Sequence, residues 1–232
     1  MKSNERRLVW DLPLRLFHWL FAVSIMACWG TAKLGFSWMQ WHMWLGYLVM
    51  GLLLFRLLWG FIGSRHARFA SFMKGPSTVL AYARGLVGKG APVHSAGHNP
   101  LGGLMVLLML FLVTLQAYTG LFSSDDIAWS GPYNGVVSSA TAQRLTALHG
   151  LNFDFIWGAM GLHIAAILYY TFVKKERLVP AMVTGWKSVE MVPADQAIRG
   201  SDLWRAAIAI AASGGMVYLI LAGAPAASSS TM

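Results

Sequence analysis

The chain is poorest in cysteine and in charge: Cys28 is the only cysteine, and charged residues make up 12% of the 232 positions. One thiol excludes internal disulfides, Cys-ligated iron–sulfur clusters and CxxCH haem attachment, so any prosthetic group is held without a covalent tether. Soluble domains carry roughly a quarter charged residues, and this chain is short of the polar surface that water demands. Acids are scarcer than bases, nine against eighteen, which gives a formal charge of +9. In a soluble protein that excess would point to nucleic acid. Here most Lys and Arg fall between apolar segments, as orientation signals do, and nucleic acid is discounted.

What the chain has in abundance is apolar length, with 56% hydrophobic residues and eleven Trp. Five stretches carry about twenty or more mostly apolar residues, the length that a spanning helix needs. They run from Leu14 to Leu34, Trp41 to Ile62, Leu101 to Phe122, Leu145 to Val173 and Leu203 to Ala224. Gly and Pro at Gly63, Gly75, Pro76, Gly131, Pro132 and Pro193 mark the connections. The start, MKSNERR before an apolar run, reads as a retained helix. The run is long, is interrupted by Arg15 and His18, and has no small-residue cleavage site after it.

The connections differ in charge. Residues 1–13 hold Lys2, Arg6 and Arg7; the 63–100 loop holds Arg65, Arg68, Lys74, Arg84 and Lys89 and no acid; 173–202 holds Lys174, Lys175, Arg177, Lys187 and Arg199. The 35–40 loop has no charge, and 123–144 has Asp125 and Asp126 against Arg144. The positive-inside rule therefore puts the N-terminus and both basic segments in the cytoplasm, with the tail after the fifth span outside.

Four histidines stand inside or at the mouths of these spans, where an ionisable group is costly and marks function by default. His149 and His163 are fourteen residues apart, so on a helix they share one face, offset by about 40° and separated by about 21 Å. His18 lies at the depth of His163 toward the cytoplasm, and His42 at the depth of His149 toward the outside. Two imidazoles facing each other at one depth bind a haem iron from both sides, which suits electron transfer rather than oxygen chemistry. Zinc fits worse, since each depth offers two histidines and neither Cys nor acid. A proton relay wants acids, and Asp154 is the only one embedded in a span. A hydrogen bond to a neighbouring helix is the plain alternative for any single His.

His66, His94 and His98 lie in the basic loop and read mainly as solvated, or as lining a quinone or haem-propionate environment. Arg15 and Arg56, near the cytoplasmic ends of the first two spans, can bind propionates in a bidentate fork or serve as snorkelling anchors. Lys33 and Arg144 hold the corresponding outer positions, with anchoring favoured for Lys33. Trp19, Trp38, Trp41, Trp44, Trp59 and Trp157 read as interfacial belt and packing. Gly46, Gly51, Gly158 and Gly161 permit close backbone approach beside the proposed ligands.

The segments VWDLPLRLFHW, WHMWLGY, FRLLWGFIGSRHARF, GHNPLGG, LHGLN and GLHIAAILYY together resemble the prokaryotic cytochrome b561 family, which includes the cytochrome b subunits of nickel-iron hydrogenases. The resemblance covers residues 8–180 or so, with the four His motifs in the family's order. It implies an all-α integral membrane protein: a four-helix transmembrane di-haem bundle over 8–180, then a segment 181–232 with a cytoplasmic connector, a fifth transmembrane helix at 203–224 and a short tail. It implies two non-covalent haem b groups, with His18, His42, His149 and His163 as axial iron ligands and Arg15 and Arg56 as further cofactor-binding residues. It also implies a multi-pass respiratory protein of the bacterial inner membrane, passing electrons between quinone and a periplasmic c-type cytochrome or hydrogenase subunit. On this reading the chain is an electron-transfer subunit without catalytic residues of its own. The competing readings are a self-contained oxidoreductase, such as superoxide to quinone, and a haem-free transport or assembly subunit. The fifth helix departs from the compact four-helix members of the family.

The charge pattern yields a direct test. Reporter fusions at Gly88, Ser130, Ser188 and Ser229 are expected to register inside, outside, inside and outside, and an inside signal at Ser229 would remove the fifth span.

Overall fold

The computed structural model describes residues 5–87 and 95–225. Its helices are α1 (Leu12–Lys33), α2 (Met39–Ile62), α3 (Phe69–Phe72), α4 (Pro76–Val87), α5 (Pro100–Gly120), α6 (Ser139–Phe172), α7 (Leu178–Thr184) and α8 (Leu203–Ala222). Five of them, α1, α2, α5, α6 and α8, are long and apolar enough to cross a membrane. In lipid a backbone must satisfy its own polar groups, and a continuous helix does so. The protein is an all-α, multi-pass membrane protein. The five spans agree with the expected stretches to within a few residues, except that α6 starts six residues earlier than its apolar run.

The chain divides into two compact units. The first comprises Met1–His18, Arg56–Leu108 and Ala159–Ala209. Here the short strand β1 (Arg6–Leu8) pairs antiparallel with β2 (Trp186–Ser188), placing Arg7 opposite Lys187. Gly185 makes this possible: it closes α7 with φ of 89°, a left-handed conformation that L side chains resist, and its carbonyl then accepts the Val9 and Trp10 amides. Arginines fasten the connector after β2. Arg7 donates to the Val189 and Val192 carbonyls and Arg65 to that of Asp195. The amphipathic α4, which the sequence left as part of a loop, joins the end of α6 through a 2.9 Å Tyr82–Tyr170 hydroxyl bond.

Asp11 organises the start of α1. It is fully buried; its Oδ1 accepts the Leu14 amide at 2.7 Å, an N-cap bond, and its carboxylate also accepts Trp59 Nε1 and the Ser64 hydroxyl. Trp59 is therefore no interfacial belt residue as its neighbours suggested: it is 0% exposed, with its indole N–H spent on Asp11. Trp19, Trp38, Trp41, Trp44 and Trp157 are exposed, as a belt requires.

The second unit comprises Trp19–Phe55, Met109–Gly158 and Ile210–Met232. Gly51 of α2 leaves room for Val217 of α8, and the Tyr133 hydroxyl donates to the Ile220 carbonyl at 2.6 Å, so α8 is packed and pinned here. Gly46, Gly158 and Gly161 face open space, Gly46 in this unit on α2.

Replacing Asp11 by Ala removes an N-cap and strands two buried donors. A loss of about 3 kcal/mol is expected, measurable as a lowered unfolding midpoint in detergent, with Asp11→Asn losing less.

Candidate functional site

Each unit contains one histidine pair. In the first, His18 on α1 and His163 on α6 have ring centres 6.4 Å apart. In the second, His42 on α2 and His149 on α6 have ring centres 6.2 Å apart, with planes crossing at 83°. Metal–imidazole nitrogen bonds are about 2.0–2.1 Å and a ring centre lies about 1.1 Å behind its nitrogen, so two imidazoles opposed on one metal have centres about 6.3 Å apart. Both pairs have that spacing. It is too wide for a hydrogen bond between facing nitrogens and the right width for one metal ion.

The second pair is also aimed. His42 Nδ1 meets the Cys28 carbonyl at 2.9 Å. His149 Nδ1 meets the Gln116 carbonyl and the Thr119 hydroxyl, both at 3.1 Å. A ring whose Nδ1–H donates to a carbonyl presents Nε2 as the free ligand, the usual arrangement of metal-binding histidines. Gln116 in turn donates to the His149 carbonyl at 3.0 Å and accepts from Asn152 at 2.7 Å. Gln116, Thr119 and Asn152 were missed in the sequence. Their signal was present, as polar residues three apart within apolar spans, Gln116 with Thr119 and His149 with Asn152. Gly120 gives the ring its space, since a Cβ there would meet His149 Cε1 at 3.1 Å.

The unit of the first pair also contains buried cations. Arg56 is 2% exposed; both terminal guanidinium nitrogens are buried without a hydrogen-bond partner, and Cζ lies 4.8 Å from the Phe69 ring centre and 5.9 Å from that of Phe72. Arg15 is differently disposed: one guanidinium nitrogen donates to the Val183 carbonyl, while its buried Nε has no hydrogen-bond partner. In sequence both read either as propionate partners or as snorkelling anchors. Lys187, which resembled an orientation charge, is buried too; burial lowers its pKa, partly offset by Glu176.

The loop histidines are corrected. His66 is buried, its Nε2 2.8 Å from the Gln196 carbonyl, and burial lowers its pKa. His98 packs 4.7 Å from Trp10 and 4.9 Å from Phe72 between ring centres. Burial, then the charge of Arg56, pulls its pKa down to about 3. Neither is a solvated side chain. His94 lies outside the described residues. Asp154 is exposed on α6, which removes the relay its depth suggested. Lys33 and Arg144 are exposed as well.

Among the described residues no group of three or more His, Cys, Asp or Glu is placed to hold a metal ion. Each pair thus supplies two ligands, and a bound metal must bring the others with it. A planar macrocycle that carries four nitrogens to its iron does so. Arg56, with two buried donors free, fits the carboxylates of such a group. The residues present fit haem.

Fold and site together define a multi-pass membrane protein built to hold haem between helices. The chain belongs to the prokaryotic cytochrome b561 family, whose model matches residues 9–185, and it is a membrane haem b electron-transfer protein. No curated protein and no solved structure matches it.

Gly120→Val is expected to displace the His149 ring and to lower the haem bound per chain. Pyridine haemochrome assay of the purified variant measures it; a full haem complement would show that the ring has room to spare.

Proposed function

We propose that the protein holds two haem b groups, one between His18 and His163 and one between His42 and His149, and carries electrons across the bacterial inner membrane. The route runs between quinone and a periplasmic redox partner, a c-type cytochrome or a hydrogenase subunit. The observation that carries this reading is the repeated ring spacing, 6.4 Å and 6.2 Å, in two separate units. Haem b, held by His18 with His163 and by His42 with His149, would supply a one-electron couple suited to electron transfer.

The protein's own residues do the rest. Cys28, Gln116 and Thr119 fix the ring nitrogens of the second pair, which keeps ligand geometry alike in both oxidation states and limits reorganisation. α6 carries one histidine of each pair, His149 and His163. The basic composition of 63–100 and 173–202 supports an N-terminus in the cytoplasm, which assigns His18 and His163 to the cytoplasmic side and His42 and His149 to the outer side.

Two measurements test this. His18→Ala and His163→Ala are each expected to lose one spectral component in redox titration, and His42→Ala and His149→Ala the other; loss of one shared component by the His18 and His42 variants would break the pairing. In proteoliposomes with quinol inside and an impermeant acceptor outside, any of the four variants is expected to lose transmembrane electron transfer. An unchanged rate in His42→Ala would rule out a path through both haems.

A further inference from the structure

We propose that Arg56, His98 and Lys187 form a cradle for the carboxylates of the prosthetic group held by His18 and His163, with Lys187 as a second cation that tunes its potential. The proposal rests on the histidine pairing above and names the residues that complete that site.

Three buried polar groups converge here. Arg56 keeps two donors without hydrogen-bond partners. Lys187 is 7% exposed, and among the described residues its Nζ has one hydrogen bond, to the Ser95 carbonyl at 3.3 Å, a long contact for an ammonium group. His98 Nδ1 is sealed from solvent and also lacks a hydrogen-bond partner. Two rings join them. Arg56 lies over Phe72 and Lys187 Nζ lies 5.8 Å from the centre of Trp10, while Phe72 and Trp10 both pack on His98. His98 is within electrostatic reach of Arg56, Lys187, His66 and His18, so the cluster adjoins the proposed axial ligand.

The charges ask for an anion. Burying a cation costs several kcal/mol unless an opposite charge and hydrogen bonds compensate. Asp11 and Glu176 act on Arg56 and Lys187 at a distance, yet among the described residues neither cation makes an ion pair. Asp11 is already committed to Trp59, Ser64 and the Leu14 amide. A neutral quinone would leave both cations uncompensated. The two carboxylates of one haem match two cations and a neutral imidazole donor in number and kind. The long-range β1–β2 pairing is what brings Lys187 here, opposite Arg7.

A cation beside a haem favours the added electron, so its removal lowers the midpoint potential. Lys187→Gln is best made in two backgrounds, His149→Ala, which keeps the His18/His163 haem, and His163→Ala, which keeps the other. In the first, the reduction equilibrium is expected to fall about tenfold, ~59 mV for one electron, with a shifted propionate band in resonance Raman spectra. In the second, no shift is expected. Lys187→Arg is expected to restore the potential, and to restore haem content should Lys187→Gln lose it. An unmoved potential in the first background, an equal shift in both, or haem loss that Lys187→Arg does not repair would overturn the cradle. Failure of the pairing itself shows separately, as backgrounds that do not each retain one haem.

Discussion

Two imidazoles held a metal's width apart are unstable neighbours unless something fixes each ring from behind. In the second unit that role falls to backbone carbonyls. The Cys28 carbonyl takes His42 Nδ1 and also accepts the Thr31 hydroxyl at 3.0 Å, so a helical carbonyl is stretched between two partners to hold one ring. The cysteine contributes its backbone to this contact. On the facing side, the Gln116 carbonyl and Thr119 hydroxyl share His149, and Asn152 locks Gln116 by also donating to the Leu112 carbonyl at 2.9 Å. These hydrogen bonds all close inside the unit, where low dielectric makes them strong and the loss of any member costly. Packing follows from it: Gly120 must be small because the ring must be where the relay puts it.

The first unit is built on charge instead. Arginines act as staples: Arg7 and Arg65, which a sequence reading assigns to topology, and Arg15 each donate to a carbonyl of the 183–195 region. That stretch has little regular structure to satisfy its carbonyls, and long side chains from elsewhere supply the missing donors. Val192, fully buried, shows how tightly the connector is drawn in. Neutral carbonyl acceptors hold the second pair, while the unit of the first also contains Arg15, Arg56 and Lys187, so the two sites differ in electrostatic character from their own residues alone.

The parts of this arrangement that were legible in sequence are those that depend on cost. An imidazole in twenty apolar residues is expensive wherever the helix turns, so His18, His42, His149 and His163 stood out, and length alone located the spans. What depends on which way a residue faces was not legible. Trp59 and Trp157 both lie on apolar, membrane-length helices, yet one is buried against Asp11 and the other is exposed. His66 and His98 looked solvated because their loop is basic, and nothing local announces that Gln196 and Trp10 will cover them. Lys187 is the sharpest case. Its burial depends on pairing RRL with WKS across some 180 residues, and two three-residue strands carry no periodicity to detect.

That long-range pairing also bears on where the haem-binding part of the chain ends. The family match stops at residue 185, two positions before Lys187. The packing does not stop there. The Ile198 amide donates to the Leu8 carbonyl at 2.9 Å and the Leu12 amide to the Ser201 hydroxyl at 2.8 Å, so the connector that precedes α8 is bonded to the segment that opens α1. Removing everything after 185 would expose the start of the helix that carries His18 and free Arg7 of its acceptors. In the second unit α8 is in turn fixed by the Tyr133 hydroxyl bond to Ile220 and by Val217 packing against Gly51 of α2. The fifth helix is thus integral to each unit it enters, and a chain cut to the family's common core would lose contacts on which the His18 side depends.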